Sequence, residues 1–119
     1  MASPNLLSVT TVNGKSAVQL LGTTATAIVT NAANSNSVYK INILTISNVD
    51  NVNACAVIVD LYRSNVAYRM SANISIPVNA SFTPIDKSSI YYLEEGDSLR
   101  LTANAANKLE ATCSYEVLS

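Results

Sequence analysis

Three carboxylates fall within four positions of the stretch LEEGDSL: Glu94, Glu95 and Asp97, with Gly96 among them. Side chains of this type can act as general acid and base, or hold a cation. A glycosidase pair needs two carboxyls set apart across a substrate cleft. Glu94 and Glu95 are adjacent, and in an extended chain adjacent side chains point to opposite faces. The D-x-[DN]-x-[DN]-G spacing of a calcium loop is absent. The residues fit a hairpin turn better, with Gly96 supplying a positive φ and Asp97 bonding nearby backbone amides. The acids then keep an exposed tip soluble, and a weak adventitious calcium site is the remaining chemical option.

Other chemistry is thinly represented. The sequence has no histidine, which removes Ser–His and Cys–His nucleophile pairs. NGKS (13–16) echoes the end of a phosphate loop but lacks its first glycine and its strand–helix setting. Cys55 and Cys113 are far apart, and two cysteines without histidine make a poor zinc site. Each lies in an alternating stretch, where a small buried thiol is the expected role. We therefore expect no catalytic residue, no metal and no cofactor, and hence no enzyme.

A different group of side chains suits binding. DLYRSNVAYRM, turning near Ser64 and Asn65, gathers Tyr62, Arg63, Tyr68 and Arg69 around one hairpin. Tyrosine and arginine are common anchors of protein interfaces, and they also suit a sugar or a carboxylate. Alternatively, each Tyr covers a sheet edge and each Arg is solvated. Tyr91 and Tyr92 form a second pair, expected to point one inward and one outward.

The elements that must position these residues have a period of two. TATAIVT (24–30), VYKINILTIS (38–47), ACAVIVDLY (54–62), NISIPV (73–78), SIYYL (89–93), SLRLTAN (98–104) and LEATCSYEVL (109–118) read as strands, separated by Asn-, Ser- and Gly-rich turns. In 54–62, Cys55, Val57, Val59 and Leu61 share one face, and apolar residues on the other face suggest a central strand. In 73–78, Ile74, Ile76 and Val78 share a face, and Pro77 puts its end at a sheet edge. NASFTPID (79–86) reads as a loop or short edge strand. In 98–104, Leu99, Leu101 and Ala103 point one way and Ser98, Arg100 and Thr102 the other, and in the last strand Leu109, Ala111, Cys113, Tyr115 and Val117 face inward. TANAANKLEA is the best helical candidate and is too Asn-rich to convince. About eight short strands at ten-residue spacing predict an all-β fold, a single antiparallel β-sandwich of jelly-roll type.

Composition agrees. The chain of 119 residues is 49% apolar, much of it alanine, and only 13% charged, with a net charge of −1. We expect one domain with a thin core of small and β-branched side chains. Scattered cations argue against nucleic acid, and no apolar run is long enough for a membrane helix. No charged and then apolar leader opens the sequence, so we expect folding in the cytosol, where a disulfide and use of the sequons at Asn73 and Asn79 are not expected. Residues 1–22 are polar and irregular and form either an N-terminal arm or a first edge strand, with 23–119 as the sandwich. Leu6, Leu7, Leu20 and Leu21 suggest that something ties this segment down. An arm from Ala2 to Leu21 would reach a neighbour and could be removed without unfolding the sandwich.

The sequence resembles a group of small β-sandwich virion proteins of tailed bacteriophages, notably phages of marine cyanobacteria. The resemblance lies in MASPNLLSVTTVNGK, TTATAIVTNAANSNSVYKINILTISNVD, VIVDLYRSNVAYRM, SIPVNASFTPIDKSSIYYLEEGDSLRLTAN and the ending CSYEVLS. It implies a non-enzymatic structural protein of the virion, assembled in the host cytoplasm, and in particular a capsid decoration or cement protein. The implied partners are the major capsid protein or other virion subunits, and further copies of the chain as a homo-oligomer. Neck, tail and fibre proteins share the style, so a glycan- or receptor-binding tail module using Tyr62, Arg63, Tyr68 and Arg69 is the alternative.

Overall fold

The structure is a computed structural model and describes residues 5–119. Nine strands run in chain order: β1 Val12–Leu20, β2 Thr26–Thr30, β3 Val38–Asn48, β4 Cys55–Arg63, β5 Val66–Ile76, β6 Ser81–Ile85, β7 Tyr91–Leu93, β8 Ser98–Ala103 and β9 Leu109–Leu118. All pairings are antiparallel. The first sheet has the order β1-β9-β3-β6, with β7 also on β3, and the second has the order β2-β8-β4-β5.

β6 pairs with one half of β3 (Leu44↔Ile85) and β7 with the other (Ile41↔Tyr91), so the two behave as one interrupted strand. Counting them as one turns nine strands into the expected eight, and the order is that of a jelly roll. The break lies at 86–90, where the Asp86 carboxylate accepts the Ser88 amide at 2.9 Å and turns the chain out of the ladder.

Between the sheets lie Leu21, Val29, Ile41, Leu44, Ile46, Val57, Val59, Ile76, Ile85, Leu93, Leu99, Leu101 and Leu109, with Cys55 and Cys113. The alternation of 98–103 and of 109–113 is realised as expected. The core departs from the Ala-rich expectation. Ala103 and Ala111 are its only fully buried alanines among the described residues; Ala17, Ala80 and Ala105 pack against it from its margin. Where the alternation fails, an extra residue in one strand is usually the cause. Asn42 is such a residue in β3: Ile41 pairs Tyr115 and Ile43 already pairs Ser114, so Ile41 and Leu44 are buried while Ile43 faces out. β5 slips against β4 twice and adopts φ 51° at Asn73. These slips merge the two expected strands of this region into one; Ile74 and Ile76 share the core-facing side as expected, opposite Val57 and Cys55, but only Ile76 is fully buried, and Val78 lies exposed beyond the strand. On β9, Val117 is only half-buried and Leu118 is buried instead. Tyr91 and Tyr92 are both exposed, rather than one in and one out. The segment 104–108 is a turn.

Residues 12–20 pair with β9 along their full length, so this part of the N-terminal segment is an edge strand of the sandwich. The Leu21 amide donates to the Leu109 carbonyl at 2.9 Å and its side chain is 1% exposed. The portion that lies outside the sandwich is shorter than Ala2 to Leu21. Its described part is 5–9, in which Leu7 is 97% exposed, since Thr10 and Thr11 already bond to the Ser119 backbone, while residues 2–4 lie outside the described residues.

Two outcomes follow. Leu21→Ala should cost about 2–4 kcal/mol in urea unfolding, as for other buried leucines, whereas Leu7→Ala should change stability by less than about 0.5 kcal/mol. Burial pushes the Cys113 thiol up to about 11, and burial, with Tyr39 and Cys113 beside it, raises the Tyr115 phenol as well. The unfolded thiol ionises first, so this contribution to stability is intact at neutral pH. It should be lost as pH rises from about 8.5 towards about 11. Melting temperature against pH should fall over that window, and Cys113→Ala should flatten the fall.

Candidate functional site

The acid stretch sits where β7, in the first sheet, hands over to β8, in the second. It is a turn, as its residues require: the Asp97 amide donates to the Glu94 carbonyl at 3.0 Å, and Gly96 has φ 88°. It is not a hairpin, because β7 and β8 do not pair. A left-handed residue at the third position alone gives a type II turn, whose twist splays the strands it joins. The Ser64–Asn65 turn between β4 and β5 is the true hairpin, with φ 53° and 62° as a type I′ turn demands.

The acids differ from a solvated tip. Asp97 is 2% exposed. Its Oδ1 accepts Arg63 Nε at 2.9 Å, while Oδ2 accepts Arg63 Nη2 at 2.5 Å and the Glu94 amide at 2.8 Å. Arg63 Nη2 also reaches Glu94 Oε2 at 3.0 Å. The hydrogen bonds that Arg63 donates to Asp97, then the charges of Asp97 and Glu94, hold the guanidinium more firmly protonated than usual. Glu95 Oε2 accepts the Asn36 amide at 2.6 Å. Buried Asn31, at the end of β2, completes the cluster. Its Nδ2 donates to the Ser37 and Leu93 carbonyls at 2.9 Å each, its amide donates to the Asp97 carbonyl, and its carbonyl accepts the Gly96 amide. A shallow depression of about 290 Å³ remains, lined by Arg63, Ser64 and residues 94–97. The forked pairing occupies both oxygens of Asp97, so the carboxylate is neither a free base nor a free ligand.

The four binding candidates of the hairpin do not form one patch. The register puts Tyr62 with Asp60 and Arg69 on the outer face of the second sheet, and Arg63 with Leu61 and Tyr68 on the opposite face. Arg69 Nη1 binds Asp60 Oδ1 at 2.6 Å, Arg100 stacks over the Tyr62 ring at 3.5 Å, and Arg63 serves Asp97. Only Tyr68 keeps a mostly exposed side chain with no such engagement among the described residues. Of the leucines, Leu6, Leu7 and Leu20 are exposed, but Leu21 is in the core and cannot meet a partner. Asp60, only 2% exposed, was missed. Its signal was an acid inside the most apolar alternating run, ACAVIVDLY.

The other large exposed region is the outer face of the first sheet. Cross-strand rows place Ser16, Ser114 and Ile43 together, then Val18, Thr112 and Thr45, then Leu20, Glu110 and Ser47. It is aliphatic and hydroxylated, with Val18 78% exposed.

No protein-family model matches the sequence, and no curated protein is significantly similar to it. Among solved structures, the chain is similar in fold to one from Bacillus endospore appendages, described as forming a novel family of disulfide-linked pili. The TM-score is 0.55 at 13% identity, covering 92% of this chain and 87% of that one.

The cluster generates a clear test. Arg63→Met strands a buried carboxylate and should cost about 2–3 kcal/mol. This is below the roughly 3–5 kcal/mol of a fully buried pair, because the Arg63 side chain is 40% exposed and water can replace part of it. Asp97→Asn added to it should cost less than the two single changes combined, by urea unfolding, since the pair acts as a unit.

Proposed function

We propose that this chain is a non-enzymatic structural protein of a virion, a capsid decoration or cement protein that binds assembled capsid subunits. The observation that carries this reading is where the charges go. Arg63, Glu94 and Asp97, Arg69 and Asp60, Lys108 and Asp50, and Lys40 and Glu116 are in ion pairs. Asp86, Glu95 and Arg100 bond or stack within the chain. Among the described residues, only Lys15, Lys87 and Glu110 carry charge without such a role. Most of the charged groups that could do chemistry are engaged in holding the fold, and a large part of the surface left over is the aliphatic and hydroxylated face of the first sheet. Contiguous exposed apolar side chains mark interaction sites, and the resemblance to phage virion proteins points the same way.

A second reading, a subunit of a repeating appendage, draws on the fold shared with the pilus chain. Both cysteines of this sequence are 1% exposed, so a link through them would require the sandwich to open. A glycan-binding tail, neck or fibre module has less support, because three of its four candidate side chains are engaged internally.

Quantifying the chain against the major capsid protein in purified particles separates these readings. We expect a copy number close to that of the capsid protein. A far smaller number would favour neck, tail or fibre, and absence from the particle would overturn the virion reading.

A further inference from the structure

A sandwich of two open sheets has four edges, and here three of them are blunted. β2 is five residues long and slips in register at Ile28. β6 and β7 form an interrupted edge of five and three residues, carrying Pro84. β5 is long but slips twice, has a left-handed Asn73, and runs into Pro77. Short strands, proline, bulges and charged side chains, lysine above all, are the devices by which proteins keep sheet edges from pairing with other chains. β1 has only the last of these, in Lys15. It is nine residues long, stays in register with β9 throughout, contains no proline, and carries Lys15 as its only charge.

Its sequence is also compatible with itself when reversed. Turned about its central residue, Ser16, VNGKSAVQL sets Val12 opposite Leu20, Asn13 opposite Gln19, Gly14 opposite Val18, Lys15 opposite Ala17, and Ser16 opposite Ser16. Aliphatic meets aliphatic, and Gln19 keeps its amide turned inward on the Ala27 carbonyl at 3.2 Å. The glycine leaves room for the exposed valine, with nothing within 4 Å of where its own Cβ would stand, and the two lysines are not opposed. Cross-strand pairs of these kinds favour antiparallel pairing, and opposed like charges disfavour it.

We propose that the free edge of β1 pairs with the β1 edge of a second copy of this chain. The two strands run antiparallel about a two-fold axis at Ser16, so that the two first sheets become one continuous sheet. The contact is isologous and closes as a dimer, with main-chain hydrogen bonds supplying the join, as in other strand-addition interfaces. It concerns the free protein in solution and does not depend on the virion reading, so either can fail without the other.

Single cysteines on the exposed strand test the register, and the native thiols are buried and do not interfere. Thr11 and Leu21 bond to the β9 side, so Ser16 presents its amide and carbonyl outward, and the axis puts the two Ser16 Cα atoms about 5.5 Å apart, inside the range of a disulfide. It puts the two Val18 positions about 14 Å apart along the strands. Ser16→Cys should therefore give a covalent dimer under mild oxidation, on the order of tenfold or more faster than Val18→Cys, because pairing raises the effective thiol concentration. Gly14→Cys mixed with Val18→Cys should link as a heterodimer while neither links to itself. Unchanged far-UV spectra and melting would show that the variants fold. Equal rates for Ser16→Cys and Val18→Cys, preferential linking at Val18, or a wild-type chain that sediments as a monomer up to its solubility limit would each overturn the proposal.

Discussion

Nearly every connection in this fold leaves one sheet and enters the other. The β1–β2, β2–β3, β3–β4, β5–β6, β7–β8 and β8–β9 links all cross over. A strand at a crossing cannot pass its backbone hydrogen bonds to the next strand, and buried amides and carbonyls left without partners are costly. Two buried asparagines take up that burden at opposite ends of β3. Asn31 gathers the 31–37 loop, the end of β7 and the Gly96 turn. Asn48 donates to the Asn53 and Ile76 carbonyls at 3.1 and 2.9 Å and accepts the Asp50 amide at 2.9 Å. A primary amide offers two donors and an acceptor on one short arm, which suits a point where several chain segments meet.

The ion pairs extend the same logic. Asp97 anchors the crossing from β7 to β8, and its partner Arg63 comes from the hairpin of the second sheet, so the fork joins two connections at one end of the sandwich. Asp50 does similar work at the other end. It caps the 50–53 turn through the Val52 and Asn53 amides and binds Lys108 in the β8–β9 turn at 2.8 Å. The Lys108 hydrogen bond lowers the Asp50 carboxyl. Buried charge pairs contribute less net stability than their distances suggest, because desolvation opposes the attraction. Removing one partner nevertheless leaves the other exposed to the full cost, which makes each pair a strong constraint on where its loops can sit.

This explains what the sequence made legible and what it hid. Period-two runs announced the strands, and Asn-, Ser- and Gly-rich breaks announced the turns. LEEGDSL was recognisable as a turn from Gly96 and Asp97. Its role as a crossing was not, because the same residues can join two strands of one sheet or of two. The available clue was turn chemistry: one left-handed position at Gly96, against two at Ser64 and Asn65. Strict alternation holds in β8, where the register is unbroken, and breaks in β3 and β5, where Asn42 and the slips around Asn73 shift the phase. A bulge adds one residue without changing composition, so the pattern carries no mark of it. The fates of Asp60, Arg63, Arg69 and Asp97 were hidden for a related reason: their partners are set by cross-strand register and by loop crossings, not by spacing along the chain.

Spending the charges inside has a consequence for how copies of this chain approach one another. Net charge is −1, and the charged side chains left without internal partners are few and separated in sequence. Long-range steering is therefore weak, and so is the repulsion that keeps strongly charged proteins apart. With little electrostatic penalty for close approach, orientation must come from short-range features: hydroxyl rows, aliphatic side chains such as Val18 and Ile43, and unpaired backbone at a sheet edge. A regular strand guarded by a single lysine is tolerable on a surface of this kind only if its pairing is directed. The fit of β1 to its own reverse, with the Lys15 side chains kept out of opposition, provides that direction without requiring a charged patch.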